Sequence, residues 1–163
     1  FGSGEATDRT MQPYILKEHR NRWYVIGREN GITRIFGLDR ICDLVVTDKL
    51  FIQDPDFYDE IFRVLYDAVG VYAFGFDSED VMLHFSEPVA PYIRSLPLHR
   101  SQETVSGSNS GELTVKLHVK VTEEFIKECI LRFGDSVKVL SPPALAERVK
   151  GIWQNALDRY NEQ

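Results

Sequence analysis

Cysteine is scarce in this 163-residue chain, which has only Cys42 and Cys129. They lie far apart and each sits beside aliphatic residues, so both are expected as buried thiols in a reducing cytosol. A chain of this length can bury roughly 70% of its unfolded surface and needs neither disulfides nor metal to fold. No apolar run approaches the roughly 18 residues that a membrane helix requires, and no leader peptide is visible. The expected location is cytoplasmic, with no membrane contact. Catalytic signatures are missing too: there is no GxSxG, Walker A, HExxH or CxxC. The four histidines are scattered, without carboxylates or cysteines at metal-ligand spacing. The sequence therefore predicts no enzyme, no cofactor and no metal site.

A broadly basic surface is also lacking. Net charge is −6, which argues against bulk nucleic-acid binding. The charge is unevenly divided, however. Residues 1–50 hold eight Lys/Arg and seven Asp/Glu, whereas residues 51–163 hold eleven and eighteen. A local anion site is therefore expected near the N-terminus. Hydrophobic content of 43% and charged content of 27% are those of an ordinary globular protein, which at this length forms one domain or two small ones.

The first half reads as a meander of short strands. Residues 1–12 are polar and Gly-rich and are expected as a loop. PYILKEH is a strand, Asn21 marks a tight turn, RWYVIGRE follows, and Asn30-Gly31 is a strong hairpin signal. ITRIFGL returns, and LDRICDLVVTD is expected to run on as a further strand, which together suggest a small barrel. Asp54-Pro55 reads as a helix N-cap with Pro at the first helical position. Phe57, Ile61, Phe62, Leu65, Tyr66 and Val69 recur at helical spacing up to Gly70.

The second half predicts a β-α-β-β-α-β order with a terminal helix, the ferredoxin-like pattern. DVMLHFS is a strand, a short helix runs from Ser86 to about residue 95, and ETVS is a strand. SGSNSG (106–111) is a flexible turn, and LTVKLHVKV alternates strictly. Thr122 caps a helix bearing Phe125, Ile126, Cys129, Ile130 and Phe133, stopped by Gly134. SVKVL is the last strand. The final helix carries Leu145, Val149, Ile152, Trp153, Ala156, Leu157 and Tyr160 on one stripe, more apolar surface than one small sheet easily covers. His84, Lys116, His118, Lys120 and Lys138 line the helix-free face of this sheet. That face has no aromatic platform for bases, so it reads as a solvated face or a subunit contact.

The stretch HRNRWYVIGREN sets two aromatics among His19, Arg20, Arg22 and Arg28. Trp23-Tyr24-Val25, then Arg34, then Phe36, Leu38, Asp39, Arg40 and Ile41, with Pro13 upstream, resembles the WYL domain of bacterial transcriptional regulators. Val25 stands where the family's naming triplet has Leu. HFSEPVAPYIRSLPLHRSQ resembles the C-terminal extension domain that usually follows. The resemblance implies an α+β protein: an Sm-like or SH3-like β-barrel over residues 1–50, shortened at its start, a linker with a helix over 51–78, and a ferredoxin-like domain over 79–163. It implies a ligand-sensing, dimerising module that reaches operator DNA only through an N-terminal domain outside this chain. The implied ligand is a nucleotide or short single-stranded nucleic acid, held by Trp23, Tyr24, Arg34, Phe36, Arg40, Arg22 and His19. Guanidinium groups fit phosphates bidentately and aromatic rings stack on bases. Two other readings stand beside this one. The protein is a stand-alone RNA- or single-stranded-DNA-binding protein, or it is a pure oligomerisation domain whose arginines only pair with acids such as Asp39 and Asp43.

Overall fold

Two two-residue turns organise the start of the chain. Arg20-Asn21 and Asn30-Gly31 all take positive φ (52°, 60°, 51° and 78°), the geometry that lets twisted antiparallel strands meet without splaying. In the computed structural model, which describes residues 7–107 and 111–162, these turns join β1 (Gln12–His19), β2 (Arg22–Glu29) and β3 (Ile32–Gly37). The antiparallel sheet has the order β1-β2-β3, with a bulge in β1 between Pro13 and Ile15. Residues 1–6 of the expected N-terminal loop and 108–110 of the expected 106–111 turn lie outside the described residues. The chain divides into two compact units, residues 1–64 and 65–163.

The fourth strand expected from LDRICDLVVTD does not form. Leu38–Arg40 is a single 3-10 turn, Asp43 takes φ +53°, and the chain then runs without a ladder partner. A strand holds only when its backbone groups pair with a neighbour, and none is offered here. Leu44, Val45, Val46, Leu50 and Ile52 are consequently exposed. The sheet of the first unit is thus open and three-stranded among the described residues, in place of the expected closed barrel. Cys42, expected to be buried, is exposed with this segment, whereas Cys129 is buried as expected.

The α1 helix (Pro55–Tyr66) begins as the sequence predicts. Asp54 Oδ1 accepts from the N–H groups of Asp56 (3.0 Å) and Phe57 (3.3 Å), satisfying donors that a helix start leaves unpaired. Phe57 and Ile61 are its buried residues. The helix stops at Tyr66, short of Gly70.

The second unit follows the expected order: β4 (Ser78–Phe85), α2 (Ala90–Ser95), β5 (Glu103–Gly107), β6 (Leu113–Lys120), α3 (Glu123–Phe125), β7 (Val137–Ser141) and α4 (Pro143–Asn161). Its four strands are antiparallel in the order β5-β6-β4-β7. Val81, Leu83 and Phe85 of β4 and Leu113, Val115, Leu117 and Val119 of β6 form one buried layer with Phe125, Ile126, Cys129, Ile130, Leu145 and Val149. Two helices differ from expectation. α2 starts four residues late, because residues 86–89 form a turn in which Ser86 O accepts from Val89 N and Ala90 N, leaving Pro88 ahead of the helix. The helix after Thr122 widens into a π-helical stretch at Ile126–Ile130, then tightens to 3-10 with Gly134 at φ +59°. The wide turn buries Ile126, Cys129 and Ile130 together.

Candidate functional site

Trp23 and Tyr24 part company because β2 alternates its side chains. The strand register puts Tyr24 and Ile26 on one face, flanked by Arg22 and Arg28, with His19, Lys17 and Ile15 opposite them on β1. The other face carries Trp23, Val25, Gly27 and Glu29, with Glu18 and Leu16 of β1 on one side and Phe36, Arg34 and Ile32 of β3 on the other.

The first face is the core of its unit. Tyr24 and Ile26 are buried, and α1 closes over this region through Phe57, which meets Tyr14 edge-on at 4.6 Å. The Arg28 guanidinium lies 3.9 Å from the Phe57 ring centroid, and its Nη1 meets Asp54 Oδ2 at 2.6 Å. Together with the helix-start N–H groups, this pairing holds the Asp54 carboxyl below the usual carboxylate range.

The second face is open at one end and closed at the other. At the open end Trp23 is 52% exposed, Leu16 is likewise exposed, and Phe36 is half-buried. At the closed end the start of β1 passes so near Gly27 that a Cβ there would lie 2.0 Å from Gln12 O. Glu29 is buried beneath it, with Oε2 receiving both Arg34 Nε (3.1 Å) and Arg9 Nη1 (3.1 Å). Arg34 keeps 41% of its side chain in solvent while it pairs.

The seven residues marked in the sequence therefore separate. Trp23, Phe36 and Arg34 share the open face. Tyr24 is a core residue of the opposite face, with His19 and Arg22 towards its end, and Arg22 Nη1 lies 3.5 Å from Asp39 Oδ2. Arg40 ends the exposed 3-10 turn.

By sequence, the chain matches the WYL domain over residues 1–46 and the WCX domain over residues 77–157. The chain thus carries a WYL domain followed by a WCX domain. Among solved structures it is similar to proteasome accessory factor B/C (PafBC) of Arthrobacter aurescens, with 19% identity and a TM-score of 0.43. That match covers 98% of this chain and 24% of the other, so the chain spans about a quarter of that structure's length. No curated protein matches the sequence.

Within the WYL half, three features of this face escaped the sequence reading: the Glu29 clasp, its second arginine Arg9, and the exposed Leu16 that widens the apolar surface beside Trp23. Glu29 was detectable in principle. It shares the period-2 phase of Trp23, Val25 and Gly27, so it had to lie on the Trp23 face. In the WCX half, the helix-free face is charge-paired. Asp80 receives Lys116 Nζ at 2.7 Å and His118 Nδ1 at 2.8 Å, and both hold its carboxyl below the ordinary range. Lys120, expected on that solvated face, is buried, with its Nζ bonded to Phe76 O. Among the described residues no cluster of His, Cys, Asp and Glu could hold a metal ion, and no helix is long and apolar enough to cross a membrane.

Proposed function

We propose that this chain is the ligand-sensing and dimerisation module of a bacterial transcriptional regulator. Its WYL half holds a short single-stranded nucleic acid or nucleotide on the face of Trp23, Phe36 and Arg34. The observation that carries this reading is a half-exposed indole on the same sheet face as a half-exposed guanidinium, with Val25 and Phe36 between them. Stacking on an aromatic ring is worth about 1–3 kcal/mol per base and tolerates any base. A guanidinium in a charge-assisted contact adds a fixed point for phosphate. Trp23 and Arg34 stand four positions apart along the sheet, roughly 13 Å at strand spacing, which favours a short strand over a single nucleotide. Arg40, on the 3-10 turn that follows β3 beyond the Trp23 end, extends the basic rim, whereas Arg22 lies on the opposite face beside Asp39 and Tyr24 serves the core.

Operator reading belongs to another part of the regulator. Sequence readout needs an element that enters the major groove and meets base edges. Here the segment after Thr122 is tied into its own fold, with Glu123 paired to Arg148 and Glu124 accepting from the N–H groups of Val71 and Tyr72.

Fluorescence anisotropy with labelled single-stranded oligonucleotides tests the reading. Binding is expected to weaken as salt rises, because bound counterions are released, and to weaken again in Trp23→Ala. A flat salt response, or unchanged affinity in Trp23→Ala, would remove the proposed site.

A further inference from the structure

α4 outruns the sheet on which it packs. Nineteen residues span roughly 28 Å, and burial decays along a single stripe. Leu145 and Val149 are buried and Ile152 and Ala156 are half-buried. Trp153 is 40% exposed, Leu157 55% and Tyr160 89%. Ile152, Asn155, Ala156, Arg159 and Tyr160 line an open depression of about 480 Å³.

We infer that this overhang is where two copies of the chain meet, α4 against α4, antiparallel and crossing at Ala156. The inference rests on the self-association proposed above and supplies its surface. Three features select a second copy as the occupant.

The stripe carries both a projection and a recess. Tyr160 is almost wholly in solvent, and one helical turn before it the small Ala156 leaves a gap flanked by Ile152. Residues four apart form the ridges that interdigitate when helices cross, and a small side chain at the crossing lets the axes approach closely. In addition, two-fold symmetry about Ala156 places Ile152 level with the partner's Tyr160 and brings Tyr160 alongside the partner's Trp153. The same patch then serves both copies, as an isologous contact requires.

Charge permits the contact. A chain of net charge −6 repels its copy wherever acids meet. The acids of α4 lie off this stripe and are occupied: Glu147 pairs with Lys150, and Asp158 accepts from Gln154 Nε2 at 2.7 Å. Arg159 is the one charged residue lining the depression. At the crossing it would reach the partner's Asn155, an uncharged acceptor.

Sedimentation equilibrium over a concentration series, on the chain as it stands, is the test. The expected mass is twice 18.8 kDa, with the dissociation constant raised at least about tenfold in Tyr160→Glu, a substitution at an exposed site that leaves the fold intact. With Cys42 changed to Ser, Ala156→Cys should form a disulfide-linked dimer on oxidation, whereas Glu147→Cys should not. A parent chain that stays at 18.8 kDa would overturn this interface together with the self-association reading. A dimer that Tyr160→Glu leaves unchanged would overturn the interface alone. Cross-linking through Glu147→Cys but not Ala156→Cys would overturn the antiparallel crossing.

Discussion

Arg34 Nε meets Glu29 Oε2 at 3.1 Å across the hairpin of β2 and β3. The carboxylate is buried, and the guanidinium is two-fifths exposed. The pair therefore has two sides: a structural side facing inward and a donor surface facing solvent. Arg9 holds the same oxygen from a second direction, so Glu29 keeps one counterion whenever Arg34 turns to a ligand.

That arrangement makes the two roles of Arg34 separable. Arg34→Ala leaves a buried carboxylate with a single, half-exposed partner. The expected cost is about 1–3 kcal/mol of stability, the range for a buried polar group that loses a partner. Adding Glu29→Gln should recover most of it, because the uncompensated charge is gone. Oligonucleotide binding should stay weak in both the single and the double variant. Urea denaturation and anisotropy on the two variants check this. If the double variant binds like the parent, Arg34 serves the fold alone.

Trp23 and Tyr24, neighbours in sequence, should respond in opposite ways. Trp23→Ala removes a half-exposed ring on the open face, so stability should change by no more than about 0.5 kcal/mol. Affinity for single strands should fall about 5- to 150-fold, the equivalent of about 1–3 kcal/mol. Tyr24→Ala opens a hole in the buried face of the β1-β2-β3 sheet and should cost about 3–5 kcal/mol in urea denaturation. A large stability loss in Trp23→Ala would show that its ring packs rather than binds.

These contrasts show which parts of the molecule could be read from sequence. Turn chemistry fixed β1 to β3 closely, because Asn21 and Asn30-Gly31 each allow few alternatives. Strict alternation located β6, and Asp54-Pro55 located the start of α1. The segment after Arg40 failed for a physical reason: its β-branched residues give it strand propensity, but a strand also needs a partner, and propensity says nothing about partners. Of the candidate site, residue types pointed to β1, β2 and β3, but which of His19, Arg22, Trp23, Tyr24 and Arg34 share a face depends on register. Arg9, twenty residues from Glu29 in sequence, could not be found by any local pattern.

Asp54 joins a helix cap to an ion pair, and its two oxygens divide the work. Oδ1 takes the N–H groups of Asp56 and Phe57, while Oδ2 takes Arg28. Asp54→Asn should keep the cap and lose the ion pair, and Asp54→Ala should lose both. The expected order of melting temperature is parent, then Asn, then Ala. Because the folded-state pKa lies below the unfolded value, the contribution is present above about pH 4 and is lost as pH falls through the folded-state value. A thermal melt series from neutral to acid pH should show the difference between parent and Asp54→Ala shrinking in that window. A constant difference would mean that the carboxylate contributes nothing by its charge.

His99 sets a second acid-side limit, at higher pH, in the second unit. Its Nε2 lies 3.1 Å from Tyr66 O, and its Nδ1 receives the Ser101 N–H at 3.2 Å and lies 2.8 Å from Ser101 Oγ. A carbonyl can only accept and a backbone N–H can only donate, so one neutral tautomer satisfies both contacts, with the proton on Nε2. Ser101 Oγ also accepts from His118 N at 2.9 Å, and the imidazole thereby helps to tie the chain before β5 to the edge of β6. Burial is the main cause that pushes the His99 pKa down, followed by the Tyr66 carbonyl acting the other way and by Arg100, which opposes the charged form; Asp67 and His118 also face the ring. A depressed histidine pKa means that the unfolded chain takes up a proton more readily. Its contribution is therefore full above the unfolded value near pH 6.5 and falls as pH drops from there towards the folded-state value. Urea midpoints at about pH 7.5 and about pH 5.5 should differ in the parent chain, and the difference should narrow in His99→Ala. It should persist in His118→Ala, whose ring pairs with Asp80 and takes no part in the Tyr66 contact. If His118→Ala flattens the pH response and His99→Ala does not, the sensitivity belongs to the helix-free sheet face, and the His99 tie is indifferent to protonation.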